Sequence, residues 1–161
     1  MTNGATFDPK YVSLLWAGPE HAADITRLHS QLFDPAWSEE SVRALLEHPA
    51  STAFAAMIGG APKTCVGFVM AQLAADEAEI LSIGVAKDWQ RKGIGKRLVE
   101  GVARAAQKAE AKKLFLEVAA DNDAAMELYQ RAGFLGIGLR RGYYERTGRD
   151  AVDAVTLALR L

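Results

Sequence analysis

One carboxylate interrupts a segment that is otherwise apolar. The run KLFLEVA predicts a strand whose alternate residues point to opposite faces, and Glu117 shares its face with Phe115 and Ala119. On an open sheet this side chain would be solvated. Under covering helices a buried, unpaired carboxylate is costly, so it would need a partner or a function. The pattern alone leaves a structural carboxylate and a reactive one equally open.

A second candidate for chemistry is the stretch DWQRKGIGKRL, which sets two glycines among basic residues. Nine Lys and Arg stand against three Asp and Glu between Lys87 and Lys113, in a chain whose net charge is -1. The stretch begins a predicted amphipathic helix, where free N–H groups and the helix dipole attract anions. Glycine allows the backbone to approach a ligand closely. A local phosphate site is therefore one interpretation, and a solvated helix face is the other.

Composition excludes several classes of function. The 161 residues, 50% of them hydrophobic, predict one domain over 1–161 with a sizeable core. The near balance of 19 basic and 20 acidic residues gives no overall field for binding nucleic acid or an anionic membrane. The G-x-x-x-x-G-K-[ST] and G-x-G-x-x-G motifs are absent from the sequence, so nucleotide triphosphate and NAD binding by those motifs are not supported.

Cysteine, histidine and apolar patterns narrow the choice further. The single cysteine, Cys65, has no partner for an intramolecular disulfide and is expected in the core. The three histidines lack metal-ligand spacing, so no metal is predicted. The polar start and the absence of a long apolar run predict a cytoplasmic protein that does not enter membranes.

The elements that must position these residues alternate along the chain in the order β-α-α-β-β-β-α-β-α-β-β. Ser38 is expected to cap the second helix, and Asn122 and Gly133 to begin and end the fourth. The last two strands, FLGIGLR and AVDAVTLAL, are expected to be joined by a loop around RGYYERTGRD. This order predicts an α/β protein with a mixed sheet covered by helices.

Three separated blocks resemble a known family. QRKGIG, after a strand ending in SIGVAKDW, is similar to the Q/R-x-x-G-x-G/A acetyl-CoA signature of the GNAT superfamily of N-acetyltransferases. LEVAADNDAAMELYQRAGF and RRGYYERTGRDAVDAVTLAL resemble its RimI type, the ribosomal-protein alanine N-acetyltransferases. The resemblance runs from about Pro35 to the C-terminus and implies a mostly antiparallel sheet with helices on both faces. Residues 1–10 are expected to be a flexible extension.

The resemblance implies that acetyl-CoA is the co-substrate. Backbone N–H groups from the glycine-containing loop would hold its pyrophosphate: Arg91, Lys92, Gly93, Ile94, Gly95 and Lys96. Ile83, Gly84 and Val85 would pair through their backbones with the pantetheine arm. Asn122 would be a further contact, with a simple helix N-cap as its alternative.

The same resemblance implies roles in catalysis. It makes Glu117 the general base and Tyr129 the general acid, in a direct attack within a ternary complex. By itself Tyr129, on the apolar side of its helix, is more often a core residue. A phenol of reference pKa about 10 is nevertheless able to protonate a leaving thiolate whose conjugate acid lies near 8.5. In the RimI type an arginine usually follows two residues after the glutamate, where this chain has Ala119.

The acceptor implied by the resemblance is the N-terminal alanine of a small-subunit ribosomal protein. Tyr143 and Tyr144 would form one wall of the groove that binds the acceptor peptide. The alternative is that they belong to an ordinary hairpin loop that carries aromatic residues. Trp37 would line the opposite wall or anchor two helices, and acidic residues would attract a basic acceptor: Asp34, Glu39 and Glu40. Alternatives are an acetyltransferase for another protein N-terminus, a lysine or a small amine, and a non-catalytic acyl-CoA-binding module.

Overall fold

The computed structural model describes residues 11–60 and 62–161, so the expected N-terminal extension, 1–10, lies outside the described residues. Within them the chain forms seven strands and four α-helices in the predicted order. They are β1 Ser13–Trp16, α1 Ala22–Leu32, α2 Glu39–Glu47, β2 Ser51–Ile58, β3 Thr64–Ala74, β4 Glu77–Val85, α3 Ile94–Lys108, β5 Lys113–Ala119, α4 Asp123–Arg131, β6 Leu135–Arg146 and β7 Arg149–Arg160. No helix among them combines the length and apolar character that a membrane span requires.

The strands form one mixed sheet in the order β1-β2-β3-β4-β5-β7-β6. Neighbouring strands are antiparallel except β4 and β5, which are parallel. One core lies between the sheet and helices α3 and α4, around Leu98, Leu116 and Tyr129. A second core lies on the opposite face, where α1 and α2 pack against β2 and β3 around Ile25 and Phe68. The expected mostly antiparallel sheet with helices on both faces is confirmed.

The residues expected to cap helices α2 and α4 do so in the structure. The Ser38 hydroxyl accepts a hydrogen bond from the Ser41 N–H at the start of α2, and Asn122 Oδ1 accepts one from the Ala125 N–H at 3.2 Å at the start of α4. Gly133 follows α4 with φ 98°, a left-handed conformation that glycine adopts without steric cost. These short-range bonds fix where α2 and α4 begin.

Strands β4 and β5 separate halfway along their length. Their parallel pairing joins Glu77–Ile80 to Lys113–Leu116 and stops there. At the same point the pairing of β4 with β3 shifts register and leaves Leu81 as an extra residue in β4. Such a bulge bends and twists the strand that carries it. The second half of β4 therefore turns away from β5, and a cleft opens inside the sheet.

The C-terminal hairpin differs from the predicted loop. Strand β6 continues to Arg146 and β7 begins at Arg149, so only Thr147 and Gly148 form the turn, with Gly148 at φ 72°. The prediction that RGYYERTGRD is a loop was wrong because its polar residues pair across a long hairpin at the edge of the sheet. Irregular register between Arg140 and Tyr144 accompanies the hairpin.

A hydrogen bond from the backbone of Gly142 stabilises that irregular region. Gly142 has φ 61°, and its N–H donates a 2.8 Å hydrogen bond to Asp153 Oδ1 on the facing strand. The two tyrosines that follow, Tyr143 and Tyr144, therefore lie on a strand. Their positions are set by pairing with β7 and not by a mobile connection.

Candidate active site

A cleft of about 990 Å³ opens where β4 and β5 separate. Its walls come from the ends of these strands, from α4, from the β6–β7 hairpin and from the segment between α1 and α2. Eight of the candidate site residues singled out from the sequence line it: Asp34, Trp37, Ile83, Glu117, Asn122, Tyr129, Tyr143 and Tyr144. Gly84 and Val85, the last residues of β4, are not in its lining, and neither are residues 91–96, which form the end of the following loop and the start of α3.

Glu117 is the first residue of β5 beyond its pairing with β4. Its backbone pairs with Thr156 of β7, and its side chain, 19% exposed, faces the cleft. Arg140 Nε on β6 lies 2.9 Å from Glu117 Oε1. The carboxylate is thus neither freely solvated nor unpaired, and the guanidinium holds it at the point where the sheet divides.

Tyr129 belongs both to the core and to the cleft. It is 4% exposed and packs against Phe134, with ring centroids 5.7 Å apart. Its hydroxyl has no hydrogen-bond partner among the described residues. Every fully buried polar side-chain atom among them does have one, so the hydroxyl oxygen is not fully buried. Because Tyr129 lines the cleft, this oxygen opens on the cleft. Burial, and secondly the nearby Tyr144, raise the pKa of Tyr129 well above its ordinary value. The phenol therefore keeps its proton at neutral pH.

Two arginines brace the tyrosine wall. Arg140 lies over the ring of Tyr143 at 5.2 Å and Arg146 over that of Tyr144 at 5.6 Å. The two rings meet edge to face with centroids 5.1 Å apart. Cation–ring contacts of this kind favour one orientation of each ring. The hairpin therefore presents a fixed aromatic surface to the cleft.

Each bracing arginine also binds an acid of the cleft. Arg140 pairs with Glu117, and Arg146 Nη2 lies 3.3 Å from Asp121 Oδ1, beside the N-terminus of α4. Burial, followed by the charge of Glu117, raises the pKa of Tyr144, while Arg146 and Arg140 oppose that rise. Tyr144 lines the same cleft as Glu117 and Tyr129.

Another part of the cleft lining is a stack of rings formed by His29, Phe33 and Trp37. Of these residues, only Trp37 was singled out from the sequence. Trp37 lies parallel to His29, with ring centroids 4.7 Å apart, and its backbone N–H donates to His29 Nδ1 at 3.1 Å. Phe33 packs on the same imidazole at 4.6 Å. Trp37 lines the cleft and also links α1 to α2, and its contact with a substrate stays a prediction. His29 was not predicted, since a lone histidine on a helix has no distinguishing spacing.

The start of α3 has the geometry of an anion site. Gly93 is the N-cap with φ 84° and has no side-chain cap, and a Cβ there would meet nothing within 4 Å. The Arg97 N–H donates to the Gly93 carbonyl at 3.1 Å, so the N–H groups of the preceding first turn have no helical acceptor. Arg91 also has a positive φ of 62°, a strained backbone of the kind that clusters at functional sites.

At two other glycines, neighbouring side chains leave little room for a Cβ atom. A Cβ on Gly95 would lie 3.1 Å from Leu128 of α4, and one on Gly84 would lie 2.7 Å from Leu32 of α1. Gln90, whose role was not predicted, donates from Nε2 to the Val85 carbonyl at 2.9 Å. That bond ties the loop to the end of β4.

The acidic groove expected from the sequence is only partly present. Asp34 lines the cleft, but Glu39 and Glu40 are not in its lining, and Glu39 instead pairs with Arg43 at 3.0 Å on α2. In the part of the chain that the structure describes, no three His, Cys, Asp or Glu side chains stand close enough to ligate one metal ion.

Comparisons with known proteins agree with this geometry. The chain is 41% identical over 93 residues to the ribosomal protein bS18-alanine N-acetyltransferase of Escherichia coli strain K12, a match that spans 57% of this chain and 62% of that protein. It is 36% identical to the N-alpha-acetyltransferase RimI of Mycobacterium tuberculosis, over 77% and 78% of the two chains. The crystal structure of the ribosomal-protein-S18-alanine N-acetyltransferase from Escherichia coli superposes with a TM-score of 0.85 at 28% identity, covering 92% and 93%.

The family follows from the extent of the match. Residues 22–134, which contain α1 through α4 and the strands that form the cleft, match the acetyltransferase (GNAT) family. The resemblance seen in the sequence is thereby confirmed, and the separated strands and glycine-capped helix described above lie within the matched residues. The chain belongs to the acetyltransferase (GNAT) family.

Proposed function

We propose that this protein transfers the acetyl group of acetyl-CoA to the α-amino group at a protein N-terminus, with the N-terminal alanine of a small-subunit ribosomal protein as the acceptor. The observation that carries the proposal is that Glu117 and Tyr129 face one cleft at the point where β4 and β5 separate. The names of the relatives from Escherichia coli and Mycobacterium tuberculosis support the type of acceptor. A ribosomal acceptor would place the reaction in the cytoplasm.

The free edge of β4 fits the amide-rich arm of acetyl-CoA. The Ala86 N–H bonds to Val66 of β3, and backbone groups of alternate residues in a strand point to opposite sides. The backbone N–H and C=O groups of Ile83 and Val85 therefore point away from β3. Gln90 occupies the Val85 carbonyl, which leaves the N–H of Val85 and both groups of Ile83 for pairing with pantetheine. Gly84, between them, gives space to Leu32.

The start of α3 fits the pyrophosphate. Its first N–H groups lack helical acceptors, the helix dipole favours an anion there, and Lys96 adds positive charge at the surface. Leu128 of α4 packs against Gly95, while Ala125 and Tyr129 of the same helix line the cleft. This one helix connects the phosphate site to the acid, and Asn122 at its N-terminus also lies in the lining.

The thioester of acetyl-CoA supplies the acetyl group, and the residues of the chain move two protons. An N-terminal ammonium has a reference pKa of about 8, so roughly a tenth is free amine at pH 7. Glu117 takes the proton, directly or through water, from the amine that attacks the thioester carbonyl. As the carbon–sulfur bond breaks, the Tyr129 hydroxyl gives its proton to the departing sulfur. Burial raises the pKa of Tyr129, so the phenol is fully protonated before the reaction but is a weaker acid towards the thiolate than a reference phenol.

The charges of the cleft suit a cationic amine. Its lining contains four acids and two arginines: Asp34, Glu117, Asp121, Glu145, Arg146 and Arg149. The wall formed by Tyr143 and Tyr144 and the wall formed by Trp37 and His29 would hold the peptide that follows the amine between them. Both walls are bonded to rigid elements, so the groove is largely formed before the peptide binds.

A panel of acceptors tests the proposal. Turnover with acetyl-CoA is measured for peptides with different N-terminal residues, for a peptide whose only amine is a lysine, for small amines and without acceptor. We expect the peptide that begins with alanine to be acetylated fastest. Faster turnover of the lysine peptide or of a small amine would replace the proposed acceptor. Tight binding of acetyl-CoA without turnover of any acceptor would instead indicate a binding module.

A further inference from the structure

His29 is a polar residue sealed almost completely into the wall of the cleft. It lies on α1, is 2% exposed, and is enclosed by the rings of Phe33, Trp37 and Phe68. The mechanism proposed above does not use it. A buried polar group of this kind is costly unless its donors and acceptors are satisfied.

Its protonation state follows from its contacts. The Trp37 N–H donates to Nδ1 at 3.1 Å, which requires that Nδ1 carry a lone pair and no proton. Burial also lowers the pKa of His29 below its ordinary value, so the imidazole is neutral at pH 7. A neutral imidazole has one N–H group, and here it must be on Nε2.

That N–H has no acceptor among the described residues. Every polar side-chain atom among them that is fully buried has a hydrogen-bond partner, so Nε2 retains some exposure, and His29 belongs to the lining of the cleft. The result is a fixed hydrogen-bond donor whose orientation is locked by Trp37. The natural acceptor for such a donor is a carbonyl oxygen of a molecule in the cleft.

The geometry points to His29 as a substrate-positioning residue whose Nε2–H donates to the first peptide carbonyl of the acceptor, an assignment that rests on the proposed function. His29, Tyr143 and Tyr144 line the same cleft, and on the proposed function the acceptor peptide lies between them while the cofactor arm follows β4. In a peptide with a free N-terminus, this carbonyl is separated from the amine by a single Cα. A lysine side chain carries no carbonyl near its amine. His29 thereby favours α-amino groups over ε-amino groups.

A paired-substrate experiment tests this contact. Turnover is measured with a peptide beginning in alanine and with a matched peptide whose first amide is replaced by a trans-alkene, which keeps the shape and removes the carbonyl together with the amide N–H, so the loss is assigned to the carbonyl only through the His29 variants below. We expect the wild type to lose roughly 3- to 10-fold in kcat/KM on losing the carbonyl, the range of one neutral hydrogen bond.

Two variants isolate the Nε2 donor. His29→Asn keeps an acceptor near the position of Nδ1 for the Trp37 N–H but has no donor at Nε2, and should show little difference between the two peptides. His29→Gln places an amide N–H near the position of Nε2 and should restore part of the difference. A merely structural role predicts instead that each variant slows both peptides by the same factor, and that result would overturn the assignment.

Spectroscopy of the wild type covers the case in which neither variant folds. The ¹⁵N resonance of His29 Nε2 should shift on adding the alanine peptide with CoA, and shift much less with the alkene peptide. Equal shifts, or none, would overturn the assignment while leaving the proposed function intact. Wild type that acetylates no α-amine would overturn the proposed function and this contact with it.

Discussion

Arg140 on β6 reaches across β7 to pair with Glu117 on β5, with 2.9 Å between Arg140 Nε and Glu117 Oε1. The RimI type usually carries an arginine two residues after the glutamate, where this chain has Ala119. The guanidinium beside Glu117 here comes from another strand and also lies over the ring of Tyr143. One side chain thus couples the proposed base to the acceptor wall.

Replacing Glu117 by glutamine should lower turnover by about 10²- to 10⁴-fold near pH 7, because the variant keeps the shape but accepts no proton. The deficit should shrink as pH rises past the amine reference pKa of about 8, since solvent then supplies free amine. Turnover from about pH 6.5 to 9.5, with folding checked by circular dichroism, measures this. Glu127→Gln, which alters an exposed acid of α4 that is paired with Arg131 and is not in the cleft lining, is the control and should change turnover little. A Glu117→Gln deficit that is constant with pH would indicate a positioning role.

Removing the arginine should affect rate more than stability. Arg140 is 59% exposed, and ion pairs with so exposed a partner contribute at most about 1 kcal/mol. Arg140→Ala should therefore melt close to the wild type, while kcat falls several-fold because Glu117 and Tyr143 lose their common brace. Arg141→Ala changes the exposed neighbouring arginine and serves as the matched control. Equal turnover in the two variants would show that the ion pair does not orient the base.

Tyr129→Phe should keep the core intact and lower kcat by about 10²- to 10⁴-fold, because only a hydroxyl that faces the cleft is removed. The pKa of Tyr129 is raised in the folded protein. The unfolded chain therefore releases this proton first, above the reference value of about 10, and the folded state loses stability as pH rises from there towards the higher folded pKa. The phenylalanine variant lacks this loss. Melting temperatures of both proteins between about pH 8 and 11 should diverge above pH 10, and parallel curves would contradict the buried phenol.

Gly93→Ala should weaken acetyl-CoA binding by tilting the N–H groups at the start of α3. Gly59 offers a close control, because its φ of 85° matches the 84° of Gly93 and a Cβ at either position meets nothing within 4 Å. Both substitutions carry a similar backbone strain, of about 1 kcal/mol. Calorimetric titration should show a weaker Kd for Gly93→Ala alone. Equal affinities in the two variants would remove the pyrophosphate from this helix.

The sequence predicted those parts of the fold that depend on neighbouring residues. Alternation in KLFLEVA placed Glu117 on the face opposite Leu116. The capping side chains of Ser38 and Asn122 lie within three residues of the N–H groups that donate hydrogen bonds to them. Periodicity and capping are short-range effects, so a single sequence contains them. The order of the elements was predictable for the same reason.

The features that build the cleft depend on pairing between distant segments. The bulge at Leu81 is visible only in the register of β4 against β3, and no residue type marks it. Arg140 and Glu117 are brought together by the order of three strands. The donor on His29 exists because Trp37, eight residues later, bonds to the other ring nitrogen. None of these relationships has a period or a motif that could be read along the chain.

The extra residue at Leu81 gives this sheet an edge in its interior. Outer edges such as that of β6 are permanent, whereas the edge along Ile83 and Val85 is one that a bound molecule is able to close by acting as a missing strand. Ligand binding and sheet completion are then the same event. The backbone amides of these two residues should exchange with deuterium readily in the free protein and slowly once the interior edge is filled.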